Sequence, residues 1–548
     1  MDIGVKFSAL TNCKSKNLIL FILILIFFSF LTLAIKPDIS FFIPEMVGIS
    51  GFIVILLAIL QLSPNYDNLK SYPHTNTIKK EFSAGFILIF AFILRLMFLF
   101  QSPTLSDDIY RYCLDGIMII NGHNPYSYKP LQILELIQRP EAINSSIAMN
   151  GYYHLFQSVL DLGAIKNIYP EISTLIPLVN HPEFTTIYPP MAQIVFAIGA
   201  LLGMAGIVIG KTAGIPLNIM FIVVSIKLPL IIMDTLSCLL IILILRKMKL
   251  PAYYGIIYAW HPLPILETAS SGHIDGAAIF FLLMSIYLAI HCRGDSYRTI
   301  KTSWRRGSRN FWNSSIAAQI FAGLFMGFSI LTKWLPLIFL PFVLLFMQYR
   351  NARLIMGGSC IGAILIFIIP FCPDMINSLV TLNQYLQNWE FSGLFFRLVR
   401  DFMQNYSNQS GSIARGIIFM LFTVLYTIVF FRFLKNISLN SDDRGGGLNN
   451  ILTDALFMIA LAWVILTPTL YPWYALYFAA LLPFALNSNF NITGITLSWS
   501  VMLSYKVLIL YKLTGDWVED TTIAFMIMAA PLTALIAQTY MRVCKSRF

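Results

Sequence analysis

Side chains able to do chemistry gather at a few points of the chain. Ser106-Asp107-Asp108-Ile109-Tyr110-Arg111-Tyr112 is followed by Asp115-Gly116 and by Asn124-Pro125-Tyr126. Adjacent carboxylates repel, which raises the pKa of one and leaves it a base near neutral pH while the other binds or orients. A lone Asp-Asp also suits a helix start, with Asp107 as the cap. Here the pair directly follows an apolar run and has an arginine and tyrosines beside it, a setting for a general base. Asn124-Pro125-Tyr126 and Tyr188-Pro189-Pro190 read singly as breakers that turn the chain at a membrane interface, where tyrosines are common.

A second group runs Trp260-His261-Pro262-Leu263-Pro264-Ile265-Leu266-Glu267 and continues through Ser271-Gly272-His273-Ile274-Asp275-Gly276. Two histidines and two acids so close could suggest a metal, but HxxxH and HExxH spacings are missing. No cofactor or metal is therefore called for. Trp and Tyr faces among Asp, Glu, His and Asn suit a sugar, whose C–H face stacks while its hydroxyls need donors and acceptors. Trp473 and Tyr474, after Pro472, add a second aromatic turn. Charges inside apolar runs are costly and point to function or to interhelical pairing; these are Arg95, Lys227, Asp234 and Lys333. Lys227 and Asp234 stand two helical turns apart and are expected to meet other helices. Lys333, at a predicted outer helix end before Trp334, could meet a lipid phosphate or snorkel to ordinary headgroups.

The elements that position these groups are membrane helices. Of 548 residues 57% are hydrophobic and 11% charged, and the mean hydropathy is +0.74, whereas soluble domains carry about 25% charge. A bilayer core calls for about 20 apolar residues per helix. Runs of that kind predict about fourteen crossings, at 18–35, 46–62, 83–100, 222–245, 251–268, 274–292, 316–332, 335–348, 354–371, 413–433, 452–468, 473–486, 493–511 and 521–541. The first follows Lys6, Lys14 and Lys16, is too long for a signal-peptide core and lacks a small-x-small site before Lys36, so it reads as uncleaved. A cytoplasmic N-terminus puts Lys70, Lys79, Lys80, Arg246, Lys247, Lys249, the basic run from Arg293 to Arg309, Arg350, Arg353, Arg432, Lys435 and Arg542 all inside. The +11 net charge is thus topological, and no basic groove speaks for nucleic acid. An extra crossing at 190–210 would invert every later loop, so that stretch reads as a re-entrant or interfacial helix, with three crossings between Tyr188 and Arg246 as the alternative. Long loops at 101–189, rich in acids and expected to form a folded cap with Tyr152 and Tyr153, and at 372–412 then face outward. Cys113 and Cys372 share that side and could pair, while Arg444-Gly445-Gly446-Gly447 reads as an inner linker.

Taken in order, Ser106 to Tyr112, Asp115-Gly116, Asn124-Pro125-Tyr126, Tyr188-Pro189-Pro190, Lys227 and Asp234, Trp260-His261-Pro262 with Glu267, Gly272-His273-Ile274-Asp275, Thr332-Lys333 and Pro472-Trp473-Tyr474 resemble the GT-C superfamily of glycosyltransferases. The likeness spans about 100–475 and lies nearest to bacterial polyprenol-phosphate-mannose-dependent mannosyltransferases. It implies an all-α multi-helix membrane bundle divided into a two-helix segment 1–82, a catalytic module 83–475 and C-terminal helices 476–548. It also implies a hexose, by preference mannose, carried on polyprenyl phosphate and transferred with inversion to a glycan or lipid acceptor, outside the bacterial plasma membrane. Carried over, Asp107 or Asp108 is the base, with Asp107 favoured. Arg111, Tyr112, Asp115, Asn124, Tyr126, Tyr188, Trp260, His261, Glu267, His273, Asp275, Trp473 and Tyr474 would bind substrate, and Lys333 with Arg397 or Arg400 the lipid phosphate. Cys113-Leu114 departs from the aliphatic-Trp pair common before Asp-Gly, which leaves the sugar open. A transporter or flippase of lipid-linked sugar is the reading from another class, although no two halves look alike. A ligase or polymerase of lipid-linked glycans would share the outer polar site.

Overall fold

A computed structural model describes residues 3–62, 83–138, 172–215, 217, 218, 220–303, 309–440, 447–486 and 491–545. Helix follows helix, and among the described residues the only β pairing is a pair of isolated bridges from Phe391 and Ser392 to Thr469. Among the described residues nine helices, from Ile39–Leu60 to Thr521–Tyr540, are long and apolar enough to cross a membrane, and five shorter apolar helices accompany them. Their outward faces are greasy: along Ser410–Leu439 the exposed side chains include Phe419, Met420, Val424, Ile428 and Phe431. Water does not tolerate continuous apolar surface on that scale. The chain is an all-α, polytopic integral membrane protein.

Two expected elements bear on the topology. The stretch expected as a re-entrant or interfacial helix is one unbroken helix, Pro190–Thr212, of 23 residues, about 35 Å at 1.5 Å per residue and so also long enough to span. Conversely 251–268, expected as a crossing, is no single helix. It consists of the turns Ala252–Gly255, Ile256–Ala259 and Pro262–Pro264 and a π-helical Ile265–Ser270, because Pro251, Pro262 and Pro264 each interrupt the hydrogen-bond ladder. Its contacts nonetheless carry it across: Trp260 reaches the Ile87 carbonyl and Ser270 reaches Gln101, so the broken segment runs along Ala84–Leu96 to its outer end. Asn449, at the start of Gly447–Leu466, donates to the Lys247 carbonyl at 3.3 Å, so the Arg246–Lys249 cluster stays at the inner end assigned to it. Cys113 is buried and Cys372 exposed, each with a free thiol, so the pairing considered for them is absent. Of the outer loop 101–189 expected as a folded cap, residues 139–171 lie outside the described residues, as do residues 444–446 of the expected linker Arg444–Gly447.

The chain forms two compact units and passes between them repeatedly. One comprises Met1–Ser102, Thr235–Ser270 and Phe391–Phe548; the other, Pro103–Asp234 and Ser271–Glu390. In the latter, Ile109, Tyr112 and Ile117 of helix Asp108–Ile120 bury against Val195, Phe196 and Ala200 of Pro190–Thr212 and against Ile222 and Ile226 of Met220–Lys247. Gly116 permits the first contact, since a Cβ there would lie 2.5 Å from the Phe196 carbonyl oxygen. This explains Asp115-Gly116 as a packing signal. Gly272, at φ +77°, turns the chain into His273 and Asp275, a backbone angle that L residues avoid.

Candidate active site

Helix Asp108–Ile120 decides which of the paired carboxylates points inward. Asp107 is its N-cap residue and is exposed, with no side-chain cap hydrogen bond. Asp108, one residue on and about 100° round the helix, is partly buried, its side chain 17% exposed. Both of its oxygens are engaged: Oδ1 accepts from Asn180 Nδ2 at 2.8 Å and Oδ2 from the Tyr188 hydroxyl at 2.9 Å. His273 Nδ1 stands 3.7 Å from Oδ2. Burial pushes His273 down to about 3, with Asp108 opposing and Lys333 assisting, so the ring is neutral at ordinary pH.

Tyr188 is the hub. Its backbone carbonyl accepts from the Tyr126 hydroxyl at 2.7 Å and from Gln193 Nε2 at 3.2 Å, and its hydroxyl receives that of Tyr112 at 3.3 Å. The Lys333 ammonium lies 5.2 Å from the centre of its ring, within cation–π range, and 3.3 Å from Asp275 Oδ2. Burial, reinforced by the Asp108 charge, raises the Tyr188 phenol well above its usual value, so it stays a donor to the carboxylate.

Other expected substrate binders lie around this hub. Asp115 is buried and accepts from Gln193 Nε2 at 3.1 Å; burial raises its pKa while Arg111, Thr186 and Gln193 pull it back. Arg111 donates to the carbonyls of His181 and Phe184 at 3.2 and 3.1 Å, pinning the turn that supplies Asn180. Asn124 donates to the Phe371 carbonyl at 3.3 Å and to Asp374 at 3.2 Å. Tyr112 and Tyr126 are wholly buried.

The remaining candidates belong to the other unit. Trp260 is buried, donates its indole N–H to the Ile87 carbonyl at 3.2 Å and packs edge-on with Phe86 and Phe90. His261 Nδ1 accepts from Leu263 N, and its Nε2 is 2.9 Å from the Ser498 hydroxyl. Glu267 is buried and accepts from the Tyr505 hydroxyl at 2.8 Å. Trp473 stacks on Tyr471 at 4.4 Å and meets Tyr474 edge-on. Arg397 is ion-paired with Glu519 and only 4% exposed in its side chain, and Arg400 is bound to Asp401 at 2.7 Å. Asn180 and Gln193 escaped the sequence reading. Gln193 left a signal, a lone amide on an otherwise apolar helix face; Asn180 left none. Among the described residues no three His, Cys, Asp or Glu side chains are grouped as metal ligands.

No family model matches the chain, and no curated protein does. Among solved structures it is similar to the apo oligosaccharyltransferase of Archaeoglobus fulgidus, at 11% identity and a TM-score of 0.35. The match covers 84% of this chain and 56% of that one. It is too loose to define a shared fold.

Proposed function

We propose that this protein is a membrane glycosyltransferase that moves a hexose, mannose by preference, from a polyprenyl-phosphate donor to a hydroxyl of a glycan or lipid acceptor. The observation that carries this reading is the Asp108 carboxylate, aligned by Asn180 and Tyr188 in the unit where Lys333 overlies the Tyr188 ring. Two neutral donors fix the direction of the carboxylate, while each oxygen keeps a lone pair for an acceptor hydroxyl. In a single displacement the acceptor oxygen bonds to the anomeric carbon as its proton passes to Asp108. The bond from that carbon to the phosphate oxygen breaks with inversion, and its electron pair leaves with the phosphate. Phosphate needs charge compensation rather than a strong acid. An ammonium has three donors, so Lys333 can bridge Asp275 and a phosphate oxygen. Asp108 replaces Asp107 as the favoured base because Asp107 is exposed at the helix start.

Purified full-length protein in detergent, given labelled polyprenyl-phosphate hexose and a mixed pool of glycan and lipid acceptors, tests the reading. Transfer without a vesicle gradient, lost in Asp108→Asn, supports it; donor untouched by wild-type protein under those conditions leaves transport as the better description.

A further inference from the structure

The turn from Asn180 to Phe184 begins at the catalytic carboxylate and ends on an aromatic face that the mechanism above does not use. Asn180 touches Asp108 Oδ1, the oxygen other than the one facing Tyr188 and His273. The next residue, His181, has φ +46°, a left-handed conformation costly for a side chain with a Cβ. Arg111 holds it there through two carbonyls, and Phe184 N closes the turn on His181 O at 3.1 Å. Strain of this kind concentrates where a side chain must be presented. What it presents is an imidazole half open to solvent, 52% exposed, with the Glu183 carboxylate 3.5 Å away. Behind them stand rings: Trp389 meets His181 edge-on at 4.8 Å and Phe184 at 6.0 Å, and Tyr385 lies 5.4 Å from Trp389.

We infer that this shelf is the acceptor subsite and that its occupant is a neutral sugar ring, an inference resting on the glycosyltransferase reading. A ring whose C–H face lies on Trp389 would have its hydroxyls within reach of His181 and Glu183, the mixed aromatic and polar lining that carbohydrates require. The charges argue against the donor's phosphate here: Glu183 and Asp108 both repel an anion, and Arg111, the cation at this turn, is buried and donates to the His181 and Phe184 carbonyls, whereas Lys333 overlies Tyr188. Acceptor on the Asn180 side and phosphate on the Lys333 side would let attacking and leaving oxygens approach the anomeric carbon from opposite faces, as a single displacement needs.

The test uses full-length protein in lipid nanodiscs, labelled with 5-fluorotryptophan, the Trp389 resonance being assigned by its loss in Trp389→Phe. The probes are methyl glucoside, mannoside and galactoside. The expected result is a saturable shift of the Trp389 signal by at least one hexoside, with binding weakened about tenfold in His181→Ala and in Glu183→Gln, the loss of about one hydrogen bond each. No shift up to roughly 100 mM of any of the three, a ceiling weaker than millimolar binding, overturns the subsite. So does a shift that survives both substitutions unchanged, which would mark adsorption to an interfacial tryptophan. Because the readout needs no turnover, its failure is separable from that of the reaction, which Asp108→Asn reports.

Discussion

Two clusters of acids, histidines and aromatics looked equivalent as sequence, and their surroundings distinguish them. Around Trp260, His261 and Glu267 every group is buried, and the hydrogen bonds to Ile87, Ser498 and Tyr505 turn inward. Around Asp108 the charged ends are partly open, 17% for Asp108 and 15% for Lys333, while the groups behind them are closed. A buried polar group satisfied by its neighbours specifies packing. A charge aligned from behind and open in front is arranged to meet a ligand.

The hardest blow to this contrast would come from Asp108. Asp108→Asn keeps the shape and the Asn180 and Tyr188 contacts largely available but removes the basicity, so transfer should fall about 10²–10⁴-fold with thermal stability retained. Asp107→Asn should transfer nearly as wild type. Wild-type rates from Asp108→Asn in the transfer assay would end the assignment of the base, and inactivity of Asp107→Asn alone would move it one residue.

Next in size is the closed cluster. Trp260→Ala should cost about 3–5 kcal/mol of stability, as for other large core aromatics, measured by thermal unfolding. The donor KM of the remaining folded protein should be unchanged. A raised KM with unaltered stability would make Trp260 a substrate contact after all.

Lys333→Met tests the cation. Losing one charged hydrogen bond to phosphate is worth about 1.5–3 kcal/mol, or roughly 10–150-fold, and should appear in turnover of the lipid-linked donor. Unaltered donor kinetics would assign Lys333 to its contacts with Asp275 and Tyr188 alone.

The smallest effect concerns pH. His273 is held at about 3 against 6.5 for an unburied histidine. Between those values the unfolded chain carries a proton that the folded one refuses, so stability falls as pH drops through this window and is unaffected above it. His273→Gln should therefore lose less of its melting temperature between pH 7 and pH 5 than wild type does. An identical loss in both would place the acid sensitivity elsewhere.

Much of this was legible in the sequence, for physical reasons that also mark where it stopped. Membrane class follows from composition, and the acidic pair and Lys333 from their place at the ends of apolar runs. Which aspartate faces inward depends on where the helix begins, and a shift of one residue rotates the side chain by about 100°. Pro262 and Pro264 could have warned that 251–268 would not form one helix. For 190–210 length alone would also allow a crossing, whereas the charge pattern of the later loops agrees with the contact that keeps Lys247 beside Asn449. Asn180 is 72 residues from its partner in a stretch with no periodicity, so nothing local betrays it.

The interleaving of the two units also governs how the protein must be made. Asp108, Asp275 and Lys333 emerge from the ribosome in that order, far apart, and neither unit is complete until its last segment, ending at Glu390 in one and at Phe548 in the other, has been synthesised. Until then buried Lys227 and Asp234 lack part of the surroundings that accommodate their charges in the finished protein, a state that invites retention by insertion factors or misrouting. Reporter fusions to truncated chains would sample those half-made states. Side-specific labelling of full-length protein at single cysteines is the sounder way to learn which end of each helix faces the cytoplasm.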